Sequence, residues 1–334
     1  AANRAYRMFR DAGFTDDNIY YLAHTSLDPN GDGVSEVDAL VSPANVQQAI
    51  LTWASQGGRT GPGKPLHLYL MDHGELEYFC ADGCNSSGRI TASQLNQWLD
   101  TLEAATGLDT VNVILEMCRS GSFIDRVGNV ADSLAKAGRV VISSTDRNNN
   151  AYASAQGAYF SDSFFSCLAA SNNFKACFEQ ARTAVALTGN AQAPWLDDNG
   201  DGLFNNLDGA IAQSRQVARF FGATPPRLLA VSAEVQAGSG ALQAQVEAGS
   251  DPIDLVWAAV YAPSFQEPAD VTLELGVPTV RLLPVPGSET LFRASYPGGF
   301  AEPGMYRIVF YAQDHSGDQA QPRLLFSGGR QLFL

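Results

Sequence analysis

The chain has 334 residues, 45% of them hydrophobic and 17% charged, with 35 acidic against 21 basic side chains and a net charge of -14. Such a balance argues against a nucleic-acid-binding surface and against docking on anionic lipid. The apolar content is too high for intrinsic disorder, and no apolar run approaches the 18 residues of a transmembrane helix. At roughly 100–200 residues per domain, the length fits two domains or one large one.

Residues 1–222 read as strands alternating with helices. Ala5 to Ala12 has helical apolar spacing and ends at Gly13. A strand follows over Ile19–Ala23, then a helix from Ser42-Pro43 to Ser55. Leu66–Met71 is a short apolar strand. Thr91 to Thr106 places Leu95, Trp98, Leu99 and Leu102 on one helix face. Val111–Leu115 and Arg139–Ser143 read as buried strands, and 173–187 and 205–221 as helices. This alternation predicts a mostly parallel sheet covered on both faces. Ala1 is neither an initiator Met nor the start of a signal-peptide pattern, so a processed or trimmed chain is expected.

After Thr224-Pro225-Pro226 the character changes. Short alternating runs over 228–235, 242–246, 255–260, 271–275, 291–294, 306–312 and 323–326 are punctuated by Gly and Pro. The pattern predicts an all-β immunoglobulin-like sandwich over 223–334. Gly304 to Asp314 resembles the penultimate strand of bacterial immunoglobulin-like modules. This part carries 6 basic and 11 acidic residues, the part before it 15 and 24.

Five cysteines fall as two close pairs and a singleton. Cys80 with Cys84 and Cys167 with Cys177 read as local disulfides, leaving Cys118 to explain, and this implies an oxidising compartment. Five thiols in a cytosolic protein is the alternative. No CxxC pair supports a zinc site.

Two apolar strands run into reactive side chains: Leu66–Met71 into Asp72-His73-Gly74, and Val111–Leu115 into Glu116-Met117-Cys118-Arg119-Ser120-Gly121. In a parallel sheet both carboxyl ends open on one edge, where α/β proteins place their sites. A thiolate beside an imidazolium is an activated nucleophile. Gly74 leaves its backbone N–H unobstructed, and with the Cys118 N–H it forms a candidate oxyanion hole. No third member of the dyad is identifiable.

A strand ending His-Gly, followed by one ending Glu-x-Cys-x-Ser-Gly, resembles the legumain family of caspase-like cysteine peptidases. The similarity extends over roughly residues 1–190, through Ala5-Tyr6-Arg7 to Ile19, Ile142 to Ala153, and Tyr159-Phe160-Ser161-Asp162. The resemblance implies a caspase-like α/β fold, with Cys118 as nucleophile, His73 as general acid/base and Gly74 in the oxyanion hole. It implies a substrate pocket from Glu116, Asp162, Ser144 and Thr145. In the family that pocket accepts Asn by means of carboxylates and an Arg. Here the matching Arg would lie just ahead of Ala1, and two carboxylates alone would suit a basic residue. Family members also open with a central strand before the first helix, which implies an associated, cleaved N-terminal segment as a partner.

Two loops have calcium-ligand spacing. Asp28, Asn30, Asp32 and the Val34 carbonyl, with Glu36 and Asp38 nearby, form the first. Asp197, Asn199, Asp201, the Leu203 carbonyl and Asp208 form the second. Alternate oxygens converge on a hard cation, and the Gly at position 6 permits the sharp turn. Two Asp/Asn/Gly-rich surface turns are the plainer reading. The expectation is therefore a calcium-stabilised, extracytoplasmic (secreted or cell-surface), bacterial cysteine endopeptidase. It would act through a Cys-His dyad and a thioester, cutting after Asn or a basic residue, with peptides as partners and Ca2+ as a structural cofactor. A catalytically inactive calcium-binding adhesion protein is the alternative, and peptide ligation a variant of the same chemistry.

Overall fold

The computed structural model describes residues 1–127, 130–155, 157–170, 173–217, 226–236, 239–249, 251–265, 277–315, 320 and 322–328. The chain divides into two compact units with the boundary near residue 218. The expected boundary at 222/223 and the expected strand 271–275 fall outside the described residues.

The first unit runs α1 (Ala2–Asp11), β1 (Leu22–Ala23), β2 (Ala39–Leu40), α2 (Pro43–Gln48, continued by a π-helical turn, Ala49–Trp53), β3 (Leu66–Met71), β4 (Gly74–Glu75), β5 (Tyr78–Cys80) and β6 (Arg89–Thr91). It continues α3 (Ala92–Thr106), β7 (Val111–Glu116), β8 (Arg139–Ser143), β9 (Ala153–Ser154), β10 (Gly157–Ala158), α4 (Tyr159–Ala169), α5 (Phe174–Ala186), β11 (Trp195–Asp197) and α6 (Ala210–Ser214). The main sheet has the order β11-β8-β7-β3, with β3, β7 and β8 parallel and β11 antiparallel. Every residue of β7 and β8 is buried, as expected of strands covered on both faces. Ile114, Val140 and Ile142 pack with α1, α4 and α5; Val111, Val113, Leu115 and Val141 pack with α2 and α3. β1 and β2 form a separate two-stranded parallel pair, and β4-β5-β6 a small antiparallel sheet.

Local chemistry sets several boundaries. Thr91 and Gln94 form a capping box at the start of α3, and Gly107, at φ +70°, ends it. Helix α4 was not legible as a helix: no side chain caps it, it is serine-rich, and it is buried all round rather than amphipathic. The helix expected over 205–221 reduces to Ala210–Ser214, because Asn205 and Asp208 are held in a turn and α6 starts where the Asp198 carboxylate accepts from the N–H groups of Gly209, Ile211 and Ala212. Disulfides join Cys80 to Cys84 and Cys167 to Cys177, and Cys118 stands outside both. No helix among the described residues is long and apolar enough to cross a membrane.

The second unit is all antiparallel β: β12 (Arg227–Gln236), β13 (Ser239–Glu247), β14 (Ile253–Tyr261), β15 (Thr279–Pro284), β16 (Leu291–Tyr296), β17 (Met305–Asp314) and β18 (Arg323–Gly328). The strand order is β12-β13-β16-β15-β14-β17-β18. It differs from two separate stacked sheets, because β15 pairs with β14 through Thr279–Leu282 and with β16 through Leu283–Pro284. Arg323 Nε donates to the Leu228 carbonyl, so the two ends of the order curl toward each other over a core of Leu242, Val256, Ile308 and Phe310. The Tyr306 hydroxyl accepts from the Glu302 N–H, four residues upstream at the corner leading into β17.

Phe164 is fully buried among Phe160, Phe165 and Phe174. Phe164→Ala should cost about 3–5 kcal/mol of first-unit stability, read as a lowered urea midpoint at unchanged slope; a loss under 1 kcal/mol would contradict this packing.

Candidate functional site

Strands β3 and β7 pair in parallel from Leu66↔Val111 to Met71↔Glu116. His73 lies two residues past Met71, and Cys118 two residues past Glu116. Both therefore leave the sheet at the same carboxyl edge and at the same level. The loops that follow touch: a Cβ on Gly74 would stand 2.8 Å from Met117 Cγ and 3.1 Å from the Cys118 carbonyl. Only glycine lets them approach so closely. The His73 carbonyl accepts from the Cys80 N–H at 3.0 Å, so the hairpin β4–β5 and its Cys80–Cys84 bridge fix this loop from behind. Asp72 is a local brace. One oxygen accepts from the His73 N–H at 2.7 Å, and the other lies 2.7 Å from His24 Nε2.

Cys118 is 8% exposed, and its Sγ lies 3.8 Å from the Ala151 carbonyl. The next residue, Arg119, adopts φ +57°, a left-handed conformation rare for a side chain other than Gly, Asn or Asp. It is held there by its N–H on the Asn149 carbonyl and its guanidinium on Glu75 Oε2 at 2.6 Å. Ser120 and Gly121 have a packing role. Ser120 Oγ meets the N–H and the carbonyl of Thr145, and a Cβ on Gly121 would lie 2.7 Å from the backbone of Asp146 and Arg147. Those two residues press the turn after Cys118 against the 143–147 loop.

The residues expected to line a pocket fall into one buried network. Glu116 has no exposed surface; Ser161 donates to its Oε2 from N–H at 2.9 Å and from Oγ at 2.6 Å, and Tyr69 donates to Ser161 Oγ at 2.8 Å. Burial pushes the Glu116 carboxyl up to about 7, against the pull of the Ser161 and Ser144 hydroxyls toward the anion. Its Oε1 makes no hydrogen bond among the described residues. Asp162 sits in the first turn of α4 and accepts from Arg4 Nη1 at 2.8 Å and from Ser154 Oγ. Ser144 and Thr145 are fully buried, tied respectively to Gln192 Nε2 and the Ala193 N–H. The sequence reading missed Arg4, Ser154, Ser161 and Gln192. Arg4 carried a signal: it lies on the same helix face as the buried Ala5 and Met8.

Each acidic loop gathers three carboxylates with ligand oxygens within 4.8 Å of one another: Asp28, Asp32 and Glu36 in the first, Asp197, Asp201 and Asp208 in the second. The first set differs from the expected one. The Asp38 carboxylate accepts from the Tyr21 N–H at 2.7 Å, away from the cluster, and Glu36 takes its place. Hard carboxylate oxygens in both loops fit a calcium-type donor set. Burial, with the charges of Asp208 and Asp201, raises Asp197 to about 6, a cost that a bound cation would relieve.

The Peptidase C13 family model matches residues 56–193, a span that includes His73, Gly74, Glu116, Cys118 and Asp162. The match supports a cysteine peptidase of the legumain type. No curated protein matches the chain. Among solved structures, a fungal alcohol oxidase of the AA5 family in complex with copper is 14% identical with a TM-score of 0.23, over 32% of this chain and 21% of that one. The endo-beta-1,4-mannanase from Thermotoga petrophila is 9% identical with a TM-score of 0.22, over 92% of this chain and 55% of that one.

Glu116 yields a pH signature. Its folded-state pKa of about 7 lies above the ordinary 4.5, so folding favours its proton. That contribution is complete below pH 4.5 and is lost as pH rises to 7, a change of about 3 kcal/mol. Glu116→Gln stays neutral throughout. Urea unfolding of the two proteins should therefore diverge in favour of the variant between pH 4.5 and 7.5, and parallel curves would contradict the burial.

Proposed function

We propose that the first unit is a cysteine endopeptidase in which Cys118 and His73 form the catalytic dyad. The single observation that supports it most is the shared register, which sets both residues two positions past a paired couple on adjacent parallel strands. In this reading Cys118 Sγ attacks the scissile carbonyl. The N–H groups of Gly74 and Cys118 take up the negative oxygen. His73 gives a proton to the departing amine as the C–N bond breaks, leaving a thioester. Water, deprotonated by His73, then displaces the sulfur and releases the acid.

For residue preference the buried Arg4 carries the argument. Asp162 is already paired with a guanidinium, and Glu116 titrates near 7. A cationic side chain would find one carboxylate engaged and the other half protonated. An uncharged amide, which both donates and accepts, matches a pocket holding a cation and carboxyl groups together. Of the two preferences raised by the sequence, the network favours Asn. Disulfides at both cysteine pairs are compatible with an extracytoplasmic setting. The Tyr306–Glu302 corner before the penultimate strand is of the kind found in immunoglobulin-like sandwiches, and it supports that reading of the second unit.

Two experiments test this. A peptidyl-Asn chloromethyl ketone should label Cys118 stoichiometrically, and Cys118→Ala or His73→Ala should lower kcat/KM by about 10³-fold or more; absence of any adduct on folded protein would refute the dyad. Calcium, held by the Asp197–Asp208 loop, should stabilise the first unit by about 2.7 kcal/mol at a concentration 100 times Kd. That gain should vanish in Asp201→Ala, and an equal gain in the variant would remove calcium from this loop.

A further inference from the structure

Two residues other than glycine have a left-handed backbone among the described residues: Glu77, at φ +66°, and Arg119, at φ +57°. Such a conformation costs free energy and persists only where the surroundings hold it. Both stand in the loops that carry the dyad. Arg119 directly follows Cys118, and Glu77 lies in the turn of the β4–β5 hairpin that the chain enters from His73. One hydroxyl joins them. Ser122 Oγ accepts from the Glu77 N–H at 2.8 Å and donates to the Arg119 carbonyl at 2.8 Å. The same carbonyl takes the Ser122 N–H at 2.9 Å. Ser122 is buried, so bulk water does not compete for these bonds.

Charged side chains cross the same junction. Arg119 Nη1 donates to Glu75 Oε2 at 2.6 Å, and Glu75 is paired with Tyr78 in the hairpin. Arg147 donates to Glu77 Oε1 at 3.2 Å and to Asp125 Oδ1 at 2.7 Å. The His73 loop and the Cys118 loop are therefore tied together just beyond the point where Gly74 meets Met117 and the Cys118 carbonyl. Arg119 and Glu75 keep 35% and 46% of their side-chain surface exposed, so their pairing adds little to global stability. Its leverage is positional, because a shift of about 1 Å between reacting groups can cost about 100-fold in rate. A relaxed φ at Arg119 would swing the chain on either side of its Cα, Cys118 included.

We propose that Glu75, Arg119 and Ser122 are positioning residues of the dyad. They bind the His73 loop to the Cys118 loop and hold Glu77 and Arg119 in their strained turns, so that imidazole and thiol meet at a fixed spacing. They act through Cys118 and His73 and not on the substrate. This inference rests on the reading of those two residues as nucleophile and general acid/base.

The test uses Arg119→Gly and Glu75→Ala in the whole chain. Glycine adopts φ +57° freely, so Arg119→Gly removes the tie and leaves no strained residue behind. On a peptidyl-Asn amide each variant should lower kcat about 10-fold or more with KM unchanged. Ser122→Ala, which takes the acceptor from the Glu77 N–H, should act in the same direction. The rate of Cys118 alkylation by iodoacetamide, followed against pH, should move to higher pH in all three, because a thiol that has drifted from its imidazole ionises less readily. Arg119→Lys keeps the cation and should keep most of the rate. Unchanged kcat and an unchanged alkylation profile in Arg119→Gly and Glu75→Ala would overturn the proposal. So would a raised KM at constant kcat, which would make Arg119 a substrate contact. A wild-type Cys118 inert to the chloromethyl ketone removes the dyad itself, whereas variants that match a reactive wild type remove only the positioning role.

Discussion

The site depends on one constraint, the parallel register of β3 on β7. Side chains in a strand alternate between faces, so a slip of one residue would exchange the two faces of β3. It would carry Leu70 away from the α2–α3 core and Tyr69 away from α4 and Ser161. Packing on both faces therefore fixes the level at which each strand ends. That level sets His73 against the loop of Cys118. The core and the candidate chemistry are held by the same ladder.

Charge inside the first unit is handled by pairing or by protonation. Arg139 is 1% exposed, yet its guanidinium reaches Asp100, Glu103 and Asn96 of α3, which makes it a clamp from β8 to that helix. Removing one partner of such a group leaves a buried charge, which costs more than the pair itself contributes. Asp162 is treated in the same way by Arg4. Glu116 has no cation and is driven toward its neutral form. Of two carboxyl groups in one network, one is thus paired with a guanidinium and the other is pushed by burial toward its neutral form.

Much of this was legible in the sequence. The strands 66–71, 111–115 and 139–143 stand out because buried parallel strands are continuous apolar runs, and α3 because its cap and its apolar stripe agree. The cysteine spacing sorted the two bridges from Cys118. What was not legible depended on tertiary partners. Strand β15 was unseen, and α4 hides its helical period because all its faces are buried. Glu36 replaces Asp38 in the first acidic loop because the backbone N–H of Tyr21, 17 residues earlier, claims the Asp38 carboxylate, a competition that ligand spacing does not register. The role of Arg4 was missed because it comes from a helix far from the motif in sequence.

That helix links the two features that sequence motifs left unexplained. Arg4 of α1 holds the Asp162 carboxylate, while Ala5 and Phe9 of the same helix line a cavity beside β3. A rigid ten-residue helix cannot shift one set of contacts without the other, since its residues move as a body. The charge balance of the Glu116–Asp162 network is in this sense a property of how α1 packs as much as of the residues around Cys118.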